Sequence, residues 1–208
     1  MQKEVIIIGA GGHAKVIAEI ILKSGDKVVG FLDDNLELQN KNIYLDKKVI
    51  GTTSDIEKFK KNYFIIGIGN NAIRRKINEN NKLKLYTAIH PSAIIASDVK
   101  ISEGTVIMPG VVINPGTKIG ANCIINTSSS LDHDNVIEDY VHISPGAHLA
   151  GTVTVKENTW LCTGVIVKNN IIIEKNNIIG AGSVVIKDIL ETNNTYVGVP
   201  AKVLKKSR

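Results

Sequence analysis

Residues 101–130 read ISEGTVIMPGVVINPGTKIGANCIINTSSS, and an aliphatic residue stands at every sixth position. The spacing continues in both directions, from Ile89 through Ile95, Ile101, Ile107, Ile113, Ile119, Ile125, Leu131, Ile137, Ile143, Leu149, Val155, Leu161, Val167, Ile173 and Ile179 to Val185. If such residues filled roughly a third of positions at random, this unbroken run would have odds on the order of one in a hundred million. The position four residues later is mostly small or β-branched, as at Ala93, Val99, Thr105, Thr117, Cys123, Ser129 and Ala147. A period of six fits neither an α-helix nor an alternating strand. It fits a chain that turns a corner every six residues, with one aliphatic and one smaller residue pointing inward on each flat side. Three sides close a coil of about eighteen residues, and coils stack by parallel strand pairing at about 4.8 Å. Residues 89–190 therefore make between five and six coils of an all-β parallel β-helix.

Bulk properties narrow the class. The chain has 208 residues, enough for two small domains, with scarce aromatics and a net charge of +5. No stretch of about 18 apolar residues exists, so no membrane span is expected. The start lacks the basic segment and cleavage site of a signal peptide. Cys123 and Cys162 have neither CxxC spacing nor a secretory context, which points to free thiols in a reducing cytoplasm. The lysines are scattered, and the one basic cluster is the end, residues 202–208. A nucleic-acid surface needs interleaved aromatics that are absent, so no nucleic-acid partner is expected, whereas anionic small molecules fit.

Residues 1–88 follow another rhythm. Residues 3–8, 27–32 and 63–68 read as strands, with a further one at 83–87. Residues 14–23 read as a helix with Val16, Ile17, Ile20 and Ile21 on its apolar side, 54–60 as a helix with an N-cap at Ser54, and the strand at 63–68 runs into Gly69-Asn70-Asn71 and a third helix carrying Arg74 and Arg75. Strands alternating with helices imply a small parallel sheet, a Rossmann-like α/β half-domain. Ligands bind beyond the carboxyl ends of such strands. Three loops converge there: Gly9 to His13, Asp33-Asp34, and Gly67 to Asn71. Gly9, Gly11 and Ala14 satisfy the dinucleotide pattern G-x-G-x-x-A. An NAD site needs two mononucleotide halves, however, and about 88 residues supply little more than one. A nucleotide held by its phosphates at the glycine turn is the better reading.

In the prism, Leu131-Asp132-His133-Asp134-Asn135 is unusually polar for a repeat whose other sides are apolar. Gly151 lies eighteen residues after His133, one coil on and in register. A glycine there leaves room for a thioester, and its N–H can meet a developing oxyanion. Asp134 is placed to fix the imidazole tautomer and raise its basicity. A metal site at Asp132, His133 and Asp134 is disfavoured, because consecutive residues on an extended chain point different ways and no further ligands are at hand.

The motifs GAGGH (9–13), FLDD (31–34), GIGNNAIRR (67–75), INTSSSLDHD (125–134), VHISPGAHLAG (141–151) and GVPAK (198–202) span both halves. Together they resemble the nucleotide-sugar 4-amino N-acetyltransferases of the hexapeptide-repeat acyltransferase family, the group that contains the bacillosamine-pathway enzyme and sialic acid O-acetyltransferases. The resemblance implies a Rossmann-like domain at 1–88, a left-handed parallel β-helix at 89–190 and a C-terminal tail at 191–208. It implies acetyl transfer from acetyl-CoA to the 4-amino group of a nucleotide-linked deoxyamino sugar, UDP first among the nucleotides, in bacterial surface-glycan biosynthesis. The alternatives are a dTDP- or GDP-sugar acceptor, sialic acid O-acetylation, and a non-catalytic nucleotide-sugar scaffold. By the same resemblance His133 is the general base and Asp134, where the bacillosamine enzyme has Glu, its modulator. His142, Gly151, Thr163 and Ala181 contact acetyl-CoA. Gly11, Gly12, His13, Asp33, Asp34 and Gly69 hold the nucleotide, and Asn126 lies near the sugar. No metal is implied. The active site falls between prisms of adjacent subunits, implying a homotrimer.

Overall fold

The computed structural model describes residues 2–204, so residues 205–208 of the basic end lie outside it. The chain divides into two compact units after Pro91. The first of the seventeen aliphatic positions, Ile89, thus falls in the N-terminal unit.

In that unit, β1 (Glu4–Ile8) is apolar and fully buried after its first residue. It lies at the centre of the sheet, parallel to β2 (Lys27–Leu32) on one side and to β5 (Tyr63–Ile66) on the other. Such a strand is covered on both faces, which explains a continuous apolar run rather than alternation. Ile6 and Ile8 pack with Leu32, Ile56, Phe64 and Ile66 on one face. On the other lies α1 (Gly12–Lys23), which buries Ala14, Ile17, Ala18, Ile20 and Ile21. The helix starts two residues before the predicted Ala14, and Val16 is exposed rather than buried. Ala14 and Ala18 take that side because only small side chains let α1 approach the sheet closely. A Cβ on Gly67 would lie 2.9 Å from the Ala14 Cβ.

Two strands escape the sequence reading. A hairpin, β3 (Asn42–Tyr44) and β4 (Lys47–Gly51), adds to the β2 edge, giving the order β3-β4-β2-β1-β5. Within β4 only Val49 and Gly51 are buried, so no apolar run announced it. The predicted helix at 54–60 is a 3-10 segment, Thr53–Phe59, capped by Thr52 rather than Ser54, because Asp55 returns its carboxylate to the Thr52 N–H (2.9 Å). The predicted strand at 83–87 shrinks to one bridge between Leu85 and Phe64. Then α2 (Asn71–Asn80) follows β5, capped by the Asn70 side chain.

The second unit is a parallel β-helix. Two-residue strands recur every six residues from Ile94–Ile95 to Val184–Val185 and build three parallel faces. Pairing partners are eighteen residues apart, as in Ser130 with His148 and His142 with Trp160. The second residue of each strand points inward, and the position four later carries the buried ladder of Thr105, Thr117, Ser129, Thr159 and Ser183. Asn135 belongs to this ladder, donating to Asp132 O and accepting from the Val153 N–H at 2.8 Å. Its polarity is therefore structural. The corner residue three after each aliphatic is left-handed without interruption from Gly104 to Gly182. That requirement accounts for many of the chain's glycines and asparagines. The segment expected as a tail completes the prism instead: Thr195–Val197 pairs parallel with Ile178–Ile179, and Lys202–Val203 returns antiparallel. Buried Tyr196 anchors it.

Candidate functional sites

His133 stands on the corner between the face bearing Ser130–Leu131 and the face bearing Val136–Ile137. The left-handed turn at Asp134 brings that carboxylate back against its neighbour, and Asp134 Oδ2 lies 2.8 Å from His133 Nδ1. Asp132 turns the other way. Its Oδ1 accepts from the His133 backbone N–H and from Asn114 Nδ2, both at 2.8 Å, which holds its carboxyl below the ordinary range. The bond to Asp134 raises the His133 pKa, with the charges of Asp132 and Asp134 adding to it. With Nδ1–H donating to Asp134, the open atom of the ring is Nε2, an acceptor.

Gly151 is in register as predicted, but the space over it is already taken. A Cβ at Gly151 would lie 2.5 Å from His133 Nε2 and 2.6 Å from Cε1, so the absent side chain makes room for the imidazole itself. The next residue, Thr152, donates its N–H to His133 O at 2.9 Å from a left-handed conformation unusual for a β-branched residue. His133, Asp134 and Gly151 thus form one constellation.

His142 does not join it within one chain. It sits on the third face, with Asn126 Nδ2 3.2 Å from its Nε2 and the ring of Trp160 parallel to its own. Thr163 and Ala181 lie at the corner that follows this face, with Thr163 O accepting from the Gly182 N–H at 2.9 Å. Gly146, Gly164 and Gly182 line the same corner, and Cβ atoms at 146 and 182 would meet nothing within 4 Å. Neither thiol is set up as a nucleophile. Cys123 is buried with Sγ 3.0 Å from Glu138 O, and burial pushes the Cys162 thiol up. Among the described residues no group of three or more His, Cys, Asp or Glu is placed to hold a metal ion.

In the N-terminal unit a cleft of about 600 Å³ opens beyond the carboxyl ends of β1 and β2. Gly9, Asp33, Asp34, Thr53, Ile68, Ile73 and Lys76 are among its walls. Asp33 accepts from the Ala10 and Asn35 N–H groups at 2.8 and 2.9 Å, which ties the glycine turn to the end of β2. Asp34 is held by the Thr53 N–H and hydroxyl. The sequence reading found the two aspartates but missed Thr53 and the wall of Ile73 and Ile77. The only signal for that wall was an apolar pair spaced by four in an otherwise polar helix.

The glycines here divide by cause. Gly9 has φ of +100° and lies against Ile68, so backbone geometry and packing demand it. At Gly11, Gly12 and Gly69 an added Cβ meets nothing within 4 Å, so the fold does not. Gly11 caps α1 without any side-chain bond, leaving first-turn N–H groups to an outside acceptor. Beside them His13 is largely buried, its Nε2 without a hydrogen-bond partner among the described residues. Burial, aided by the charge of Arg74, pushes its pKa down to about 4, so the ring is neutral near pH 7. The Arg74 guanidinium is buried and donates to Ile68 O, Gly69 O and Asn71 Oδ1, which fixes the loop that carries Gly69.

A cleft beyond the strand ends of an α/β unit in one part of the chain, and a three-faced hexapeptide prism with a histidine–carboxylate corner in the other, together define an acyltransferase class. Residues 4–80 match the PglD N-terminal domain family, and residues 98–133 match the bacterial transferase hexapeptide (six repeats). The acetyltransferase domain of PglB from Neisseria gonorrhoeae FA1090, solved in complex with acetyl coenzyme A, is 34% identical with a TM-score of 0.91, over 98% of this chain and 100% of that one. The GDP-perosamine N-acetyltransferase of Escherichia coli O157:H7 is 30% identical over 172 residues, 78% of this chain and 76% of that protein. The UDP-N-acetylbacillosamine N-acetyltransferase of Bacillus subtilis (strain 168) is 40% identical over 112 residues, 51% and 52% of the two chains. This chain belongs to the family of acetyl-CoA-dependent sugar N-acetyltransferases built from a PglD N-terminal domain and hexapeptide repeats.

Proposed function

We propose that the protein transfers acetyl from acetyl-CoA to the 4-amino group of a nucleotide-linked deoxyamino sugar, with His133 as general base. The observation that carries this reading is the His133–Asp134 pair seated over Gly151. His133 Nε2 takes a proton from the amine as its nitrogen attacks the thioester carbonyl carbon. The C–N bond forms, the carbonyl is restored as the C–S bond breaks, and the proton passes from His133 to the leaving sulfur of CoA. Gly11, Gly12 and Gly69 give the diphosphate close access to backbone N–H groups, neutral His13 lies beside it, and Asp33 and Asp34 face the nucleoside.

UDP is the nucleotide of first choice, in keeping with the B. subtilis relative. A GDP-sugar is the second reading, favoured by the E. coli relative, which aligns over more of the chain. Thiol release measured with UDP-, dTDP- and GDP-linked 4-amino sugars and with sialic acid separates these acceptors. His133→Ala should lower kcat about 100- to 10,000-fold; near wild-type turnover with saturating acetyl-CoA would overturn the base assignment.

The working form is a homotrimer. His133 on a corner and His142 on the third face do not converge in one chain, so a neighbouring prism supplies the second. Exposed Ile94 and Ile166 on one face, Ile172 on another and Trp160 and Ile178 on the third give apolar surface for such contacts. Mixing inactive His133→Ala and His142→Ala subunits under exchange should restore about a quarter of wild-type activity, since random assembly pairs intact halves at that frequency. No recovery would mean that each site is built within one chain.

A further inference from the structure

The α/β sheet has a second concave surface at its other end. A cavity of about 530 Å³ opens at the amino ends of β1 and β5, lined by Gln2, Lys3, Glu4, Lys61, Asn62, Tyr63 and Lys84. The full length of β1, roughly 15 Å, separates it from the cleft beyond the carboxyl ends. Three adjacent chain segments place its cations. Lys3 precedes β1, held by its N–H on Asp26 Oδ1 at 2.8 Å. Tyr63 begins β5, in register with Val5 of β1. Lys84 lies along the outer edge of β5, where its carbonyl accepts from the Phe64 N–H at 2.9 Å. The side chains meet on one ring: Lys84 Nζ is 3.9 Å from the Tyr63 centroid and Lys3 Nζ 5.3 Å. The ring attracts each ammonium but cancels neither charge.

The nearby carboxylates are engaged elsewhere. Glu4 takes Lys27 Nζ at 2.8 Å and a hydrogen bond from Asn62, which hold its carboxyl below the ordinary range. Asp26 uses Oδ1 for the Lys3 N–H and Oδ2 for the Tyr86 hydroxyl, each at 2.8 Å. Among the described residues no carboxylate pairs with the ammonium of Lys3, Lys61 or Lys84. A concave surface lined by uncompensated charge of one sign concentrates the counter-ion. The donor type narrows that ion further. Lysine is a compact point charge suited to the several oxygens of a multivalent phosphate, whereas a planar carboxylate matches the arginine fork, which this cavity lacks.

We infer that this cavity is a second anion site, which takes the phosphate or diphosphate group of a small molecule through Lys3, Lys61 and Lys84. It is remote from the cleft and independent of the proposed acetyl transfer. Its concave wall suits a small solute and not the flat surface of a lipid bilayer.

The test is a titration of the full-length protein, ¹³C-labelled on its tyrosine rings, with sodium pyrophosphate at physiological ionic strength. Tyr63 is assigned by its loss in Tyr63→Phe. Its ring signal should shift and saturate at millimolar pyrophosphate or below. Because Tyr63 lies outside the cleft, a response there does not report a diphosphate bound at the glycine turn. Lys61→Gln and Lys84→Gln should each weaken binding about two- to fivefold, as expected for exposed ion pairs. Combining them with Lys3→Gln should abolish the Tyr63 response and leave the melting temperature unchanged. An unmoved Tyr63, a shift that sodium chloride reproduces at equal ionic strength, or a full response in the triple variant would overturn the site. Cosedimentation with phosphatidylglycerol vesicles in the absence of any pyrophosphate response would overturn it in favour of a lipid surface. If the wild-type protein bound pyrophosphate at Tyr63 as described but released no CoA with any amino-sugar acceptor, the proposed reaction would fail and the anion site would stand.

Discussion

The two halves of the molecule hold their histidines in opposite ways. On the prism, His133 is exposed on a corner, and a neighbouring carboxylate raises its pKa. In the α/β unit, His13 is partly buried near the Arg74 charge, and its pKa falls to about 4. One arrangement favours the protonated ring at the place of the proposed base, while the other keeps a ring neutral next to where a diphosphate is proposed to bind. The contrast follows from architecture. A coil corner projects side chains into solvent, where charge is cheap and hydrogen bonds tune it. The end of a doubly covered sheet is enclosed, and desolvation dominates there.

The largest break in this comparison comes from Gly151→Ala. The backbone tolerates alanine, but its Cβ would occupy the place of the imidazole, which must swing out of line with Asp134. Turnover should fall about 100-fold, while the melting temperature stays within a few degrees because His133 is free to move into solvent. Wild-type turnover would show that the seat over Gly151 is unrelated to catalysis.

A smaller effect is expected from Asp134→Asn. It removes the group chiefly responsible for the raised pKa of His133. The rate rises with pH as His133 loses its proton, so in the variant this acid limb should move to lower pH, and the plateau should drop by about tenfold as the base weakens. A pH–rate profile superimposable on wild type would remove Asp134 from the mechanism.

The repeat was legible because each flat side of the prism turns one large aliphatic residue inward at a fixed interval, and nothing in residues 89–185 breaks it. The His133–Asp134 constellation, the candidate site on the prism, was legible because polarity at 132–134 contradicts that pattern. Asn135 looked like part of the same polar patch, since a ladder asparagine and a solvated one have the same letter. The N-terminal strands β1, β2 and β5 announced themselves by near-continuous apolar runs, the mark of strands covered on both faces. The β3-β4 hairpin did not, because half-buried residues between lysines carry no period. Val16 was misassigned to the helix face for a related reason: apolarity outweighs size in a sequence pattern, yet close packing of α1 on the sheet selects alanine. The contact between Asn126 and His142 was out of reach, because sixteen residues separate partners that only the coil brings together.

The other side of the comparison is sharpened by His13, where the effect is on stability rather than rate. Its folded pKa of about 4 lies below the unfolded value of 6.5, so the unfolded chain binds more protons between these limits. Stability of the N-terminal unit should therefore fall as pH drops from 6.5 towards 4, by about 3 kcal/mol for this group alone. His13→Gln keeps a hydrogen-bonding side chain without titration and should flatten that part of the profile, which thermal melts at pH 7, 5.5 and 4.5 would reveal. An equal loss in variant and wild type would assign the acid sensitivity to carboxylates elsewhere. The sign separates the two histidines, because a base raised by Asp134 gains from protonation in the fold whereas His13 is penalised by it.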